Sequence, residues 1–146
     1  MIETGLYVKK IHVAMQRGRN RALKQYGLTA PQMDTLIYLA FHEAPENTLS
    51  GIADFFGVKH TSVIHILKLL EKKQLICREE AAPGTRMKPI FLTEKGKEII
   101  ETDKKELERV ERLLFEGITQ EEERQLNDML RRIYENVIRE FVTEEE

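Results

Sequence analysis

Between residues 48 and 93 the hydrophobic period of the chain changes twice, and those changes limit what it can fold into. Thr48 or Asn47 stands where a helix cap belongs, and Ile52, Ala53 and Phe56 follow as the buried side of a short helix. Gly57 ends it, because a left-handed residue is wanted after a helix end, and Val58 plugs the turn. His60 to Lys73 then carries Val63, Ile66, Leu67 and Leu70 at the i, i+3, i+4, i+7 spacing of a second helix with one face in a core. After that helix, Leu75-Ile76-Cys77-Arg78 reads as a strand. Met87 to Leu92 reads as its partner, with Ala82-Pro83-Gly84-Thr85 as the turn and Arg86 beside the tip. Pro89 fits within the second run because a two-stranded hairpin keeps free edges. Helix, tight turn, helix and hairpin in this order are the plan of a winged helix-turn-helix. The fold class is mainly α with a small β-wing, and it presents one helix end and one loop tip to a neighbouring duplex.

The flanks read as helices. Residues 5–26 carry a loose apolar stripe of Leu6, Ile11, Met15, Ala22 and Tyr26, and Gly27 ends the run. Leu28-Thr29-Ala30-Pro31-Gln32-Met33 is a helix start. Thr29 and Gln32 form a capping box, Pro31 suits the first turn, and Leu28 with Met33 makes a hydrophobic staple. That helix carries Leu36, Ile37, Leu39, Ala40 and Phe41 and stops near Pro45-Glu46-Asn47. Thr93 opens a long helix to about residue 116, and Thr119-x-x-Glu122 opens another. The last helix sets Leu126, Met129, Leu130, Ile133, Val137, Ile138 and Phe141 on one side. The expected organisation is a single domain over 1–146, with 29–93 as the winged region and 1–27 and 94–146 as a helical dimerisation region. The end, Glu144-Glu145-Glu146, is acidic.

The formal net charge is −2, but its distribution decides more than its total. Residues 1–29 are net +5, 30–58 net −4, 59–97 net +5 and 98–146 net −8. One basic block covers the second helix and the wing, and local potential governs docking on phosphates. Cys77 is the sole cysteine, so an intrachain disulfide is excluded. No apolar run reaches membrane-spanning length and no signal peptide is visible, which makes a cytoplasmic location the expectation. His12, His42, His60 and His65 form no His-x-x-x-His pair, so no metal is expected. Ser50, Ser62, His12 and Asp54 share no catalytic motif, and no glycine-rich phosphate loop exists. Neither an enzyme nor a cofactor is expected.

Candidate contacts with double-stranded DNA follow from position. Thr61, Ser62 and His65 lie near the start of the second helix and off its apolar stripe, where short polar groups can meet base edges, and Ile64 can meet a thymine methyl. Lys59, His60, Lys68, Lys72 and Lys73 are phosphate candidates. Arg86, with Lys88 as its helper, suits a minor groove. Arg17, Arg19, Arg21 and Lys24 either flank the DNA backbone or solvate the first helix, the second being the simpler reading. Leu126, Leu130, Ile133, Val137 and Phe141 are the dimerisation candidates, because an arm this small cannot hide so wide a stripe within one chain.

Taken together, these stretches resemble the MarR family of transcriptional regulators. The matching pieces are Leu28-Thr29-Ala30-Pro31-Gln32, Ile52-Ala53 with Gly57-Val58, Thr61-Ser62-Val63, the run from Leu70 to Arg78, and Leu92-Thr93-Glu94-Lys95-Gly96. The resemblance implies a homodimer whose two winged regions read a palindromic operator. It also implies repression relieved by a small aromatic or anionic effector, for which Tyr7, His12, Met15, Tyr38 and His42 are pocket candidates. Two positions depart from the family pattern. Gly84 stands where an Asp usually fixes the wing, and Ile64-His65 where a Ser and an Arg are common, so the operator does not carry over from relatives. The competing reading is a winged-helix protein-interaction module without DNA binding.

Overall fold

A computed structural model describes residues 2–81 and 83–141. The expected turn residue Ala82 and the acidic end Glu144-Glu145-Glu146 lie outside the described residues. The chain runs α1 (Ile2–Leu23), a 3-10 turn (Lys24–Tyr26), α2 (Ala30–Phe41), α3 (Leu49–Phe56), α4 (His60–Lys72), β1 (Ile76–Arg78), β2 (Ile90–Leu92), α5 (Glu94–Leu114) and α6 (Gln120–Phe141). Two compact units divide between Asp103 and Lys104.

The caps sit where the sequence places them. Gly27 takes φ 65° after the 3-10 turn, and the Thr29 amide donates to Gln32 Oε1 at 3.2 Å to open α2. Thr48 Oγ1 accepts from the Gly51 amide at 3.2 Å to open α3. Gly57, at φ 63°, ends α3 in the left-handed region that a side chain would strain. Thr119 and Glu122 close a reciprocal box at the start of α6, with both amides bonded.

The core of the first unit is made by α2, α3, α4 and the wing base. Met33, Leu36, Ile52, Val63, Leu67 and Leu70 are all buried, so the i, i+3, i+4, i+7 positions of α4 do face inward. Gly96 lets α5 cross Leu75 closely, since a Cβ there would run into the Leu75 carbonyl. Two expected core contributors are displaced outward. Phe56 is 37% exposed and Val58 43% exposed, because Ile52 and Ala53 already fill the inner side of the short α3.

The wing is shorter than the sequence predicts. Only Ile90–Leu92 pairs with Ile76–Arg78, antiparallel with Cys77 opposite Phe91, and residues 83–89 are irregular. Pro89 has no N–H to donate, but its carbonyl accepts from the Glu79 amide at 3.1 Å and closes the ladder. The outer edge of β2 is not free. Ile90 N donates to the Asn47 carbonyl at 2.8 Å, and buried Asn47 returns a bond from Nδ2 to the Ile90 carbonyl at 3.2 Å.

In the second unit, α6 keeps its apolar stripe open. Leu126 is 36% exposed, Leu130 42%, Ile133 46%, Val137 46% and Phe141 72%. No described helix is long and apolar enough to cross a membrane.

Candidate nucleic-acid interface

α4 separates two kinds of residue. Val63, Leu67 and Leu70 point into the core and hold the helix rigidly. Lys59, His60, Thr61, Ser62, His65 and Lys68 are all exposed on the rest of its surface, and Ile64 is half-buried between the two sets. The amides at the helix start are only partly used inside the helix, so its N-terminal end carries polar donors beside a cluster of basic side chains. Arg86 and Lys88 are exposed on the irregular segment of the wing. They line, with Arg78, Met87 and residues of α3, an open groove of about 610 Å³ between wing and α3. Arg78 also approaches Glu71 of α4, with Nε 3.5 Å from the carboxylate, which ties the wing base to the end of α4.

Two basic residues have other employment. Lys73, a phosphate candidate from its position, is only half-exposed and donates from Nζ to the Gly27 carbonyl at 2.7 Å, across the end of the 3-10 turn. Arg19 leaves the α1 basic group altogether. Its guanidinium meets Asp103 through two bonds of 2.6 Å each, with Asp103 1% exposed, and this hydrogen-bonded pairing pushes the Arg19 pKa up. Neither reading of that group, DNA flank or solvated face, describes Arg19. Arg17 and Arg21 remain exposed, as does Lys24.

The effector candidates do not come together in one chain. Tyr38 is buried and stacks on His42 at 3.9 Å between ring centres, and its hydroxyl donates to the Glu46 carbonyl at 3.0 Å. Burial pushes the Tyr38 hydroxyl pKa up, with Glu46 and Asp54 adding to the shift. Tyr7, His12 and Met15 lie exposed along α1, so these five residues do not enclose a pocket. His42 instead lines a cleft of about 470 Å³ with Leu39, Glu43, Asn47, Phe91 and Lys97. Phe55 also joins the Tyr38–His42 stack, 5.0 Å from the Tyr38 ring, although it is 64% exposed. Sequence reasoning missed Phe55, since its position on a short helix falls outside the apolar stripe.

Among the described residues no group of three or more His, Cys, Asp or Glu could hold a metal ion. Cys77 is exposed on β1, opposite Phe91.

Comparison with known proteins agrees with the architecture. No family model matches the chain. A Bacillus subtilis (strain 168) protein described as an uncharacterized HTH-type transcriptional regulator, YdgJ, is 32% identical over 102 residues, which is 70% of this chain and 62% of that protein. The match therefore spans less than two thirds of that relative's length. The Staphylococcus aureus MepR–DNA complex superposes with a TM-score of 0.80 at 27% identity, covering 90% of this chain and 94% of MepR. A MarR protein from Peptoclostridium difficile has a TM-score of 0.81 over 94% of this chain and 88% of its own, and at 20% identity it speaks for the fold alone. MepR is described elsewhere among these structures as a transcription regulator of a multidrug efflux pump, and a further neighbour at 28% identity is the transcriptional regulator SlyA, with a TM-score of 0.79 over 92% of this chain and 93% of its own.

Proposed function

We propose that this chain is a DNA-binding regulator of the MarR type, which acts as a homodimeric repressor on a palindromic operator and releases it in response to an effector. The observation that carries the reading is the division of α4. One face is locked into the core, and the other offers short polar groups between two lysines to solvent.

In this reading Thr61, Ser62 and His65 contact base edges in a major groove, and Ile64 meets a thymine methyl. Lys59, His60 and Lys68 bind phosphates and set the salt dependence. Arg86, supported by Lys88, enters the adjacent minor groove, where narrow tracts concentrate negative potential. Support comes from the exposure of these residues, the half-buried Ile64 excepted, and from the fold shared with a protein solved on DNA.

The dimer reading rests on α6. Its stripe is too apolar and too exposed for a lone chain in water, and an isologous pairing removes it from solvent. Two α4 helices about 34 Å apart then meet successive major grooves on one side of the duplex. Tyr38 and His42, with the cleft beside them, are the effector candidates on the reading side. Tyr7, His12 and Met15 join only if a second chain brings them there. Bound effector would favour a spacing of the two α4 helices that B-DNA does not fit, a shift of population rather than a new contact with DNA.

Fluorescence anisotropy with the duplex upstream of the protein's own gene tests the proposal, at two salt concentrations and against a scrambled duplex. Sequence-selective binding that weakens steeply with salt is expected, and Lys68→Ala should lower the salt slope by about one. Absence of binding at low salt would move the reading to a protein-interaction module.

A further inference from the structure

Phe55 is an aromatic side chain that the core does not use. It is 64% exposed on α3, while Ile52 and Ala53 fill the inner side of the same short helix. It is nevertheless held in place. Its ring centre lies 5.0 Å from Tyr38, 5.5 Å from His42 and 5.0 Å from Phe56, at tilted or edge-on angles. Tyr38 is buried, stacks flat on His42 at 3.9 Å, and anchors its hydroxyl on the Glu46 carbonyl. Four rings thus form one cluster at the corner of α2 and α3, wholly within the first compact unit, and Phe55 is its most open member.

Carboxylates flank the rings. Asp54 precedes Phe55 on α3 and is exposed. Glu46 is also exposed and lies 4.0 Å from His42 Nε2, the nitrogen left over once Nδ1 donates to the Tyr38 carbonyl at 2.8 Å. No Lys or Arg occurs between residues 25 and 58. Arg78, Arg86 and Lys88 share the wing groove with both carboxylates, yet among the described residues no ion pair joins them to either.

An acidic surface repels a duplex, and this one is too open for a small ligand. Ligand pockets enclose most of the molecule they take, whereas an exposed ring covers one side of it. Aromatic anchors with a charged rim are the surface that a protein partner meets. Rings already stacked lose little freedom on contact. A guanidinium or ammonium over an aromatic face is drawn to the ring electrons, and here it also finds carboxylates of opposite charge.

We infer that the α2–α3 corner is a docking surface for a partner protein, and that it takes an apolar segment bearing arginine or lysine, with the cation set between Phe55 and the carboxylates of Glu46 and Asp54. The inference stands apart from the dimer and effector readings.

The test uses a fluorescent peptide in which arginine alternates with leucine, titrated by anisotropy against the full chain without DNA. Phe55→Ala and Asp54→Lys should each weaken binding about tenfold. Glu123→Lys makes the same change of charge on α6 and should alter binding by no more than about twofold. Equal weakening by Asp54→Lys and Glu123→Lys would reduce the attraction to net charge and overturn the inference. Full affinity in Phe55→Ala would overturn it too. If Phe55→Ala failed to fold, ring resonances of the wild type decide. Shifts at Phe55 and His42 on adding peptide support the surface, and shifts confined to other residues overturn it. If Lys9→Glu with Lys10→Glu raised peptide affinity, the basic α1 of a second copy would already fill the corner, and the assignment to another protein would fall. Displacement of the peptide by tetramethylammonium at equal concentration would make the corner a small-cation site instead.

Discussion

α4 and α6 carry the same apolar period and meet opposite fates. In α4 Val63, Leu67 and Leu70 disappear into the core at 0% exposure, and Ile66 packs half-buried against it. In α6 the equivalent positions stay open, from 36% at Leu126 to 72% at Phe141. A hydrophobic stripe therefore says that a helix face wants covering, and says nothing about which chain supplies the cover. On α4 the cover comes from α2 and α3, and the helix is held still enough to present its other face. On α6, in the proposed dimer, it comes from a second copy, and the helix serves assembly.

The comparison breaks most visibly at its buried end. Leu67→Ala should cost about 2–5 kcal/mol in urea unfolding, because the side chain is fully enclosed and a cavity remains. Pairing of two chains should survive that change. Ile133→Glu should do the reverse. Sedimentation should show the pair separating into single chains while the first unit keeps its helical signal, because the substituted position faces water in one chain. If Ile133→Glu unfolded the winged region, or if Leu67→Ala dissolved the pair without a stability loss, the two stripes would not have the separate roles assigned to them.

A smaller effect sharpens the account of the reading surface. Arg86→Ala should weaken duplex binding about tenfold at moderate salt and leave the melting temperature unchanged, since the side chain is exposed on the irregular part of the wing. Equal affinity of variant and wild type would place the wing tip off the DNA.

The smallest expected effect lies at the cap of α6. Thr119→Ala should cost about 1 kcal/mol, or less at this exposed helix end. Its bonds, first from the Thr119 amide and then from the hydroxyl, hold the Glu122 carboxyl below its ordinary pKa. A depressed folded value means that the contribution is complete above the unfolded value and fades as pH falls through the folded one. The difference between wild type and Glu122→Gln should therefore shrink on acidification. A difference that grew toward low pH would contradict the cap.

Much of this was legible because it is local. Thr29 with Gln32, Thr48, Gly57 and the Thr119–Glu122 box are capping signals readable within four residues, and all of them mark real helix ends. The buried face of α4 followed from its period alone. What was not legible is long-range and polar. Nothing near Arg19 distinguishes it from Arg17 or Arg21, and only the fold brings Asp103 to it. Lys73 looked like its neighbour Lys72, and only the fold brings the Gly27 carbonyl within reach of its ammonium. The wing came out shorter than its sequence suggested, with Pro89 closing the ladder and residues 83–88 irregular beyond it. There Pro89 offers a carbonyl but no N–H, while Asn47, which reads as a helix cap, bonds the far edge of β2. The effector candidates were gathered from neighbouring helices by residue type alone, and the fold scatters them between buried Tyr38 and exposed Tyr7.

The central claim is that the open stripe of α6 exists so that two reading helices act on one duplex. Sedimentation equilibrium of the protein on a selected duplex tests it most directly, with wild type and Ile133→Glu measured side by side. The account predicts two chains per duplex for the wild type, and at most weak, single-chain binding for the variant. One wild-type chain per duplex, bound with full affinity and unaffected by Ile133→Glu, would contradict it.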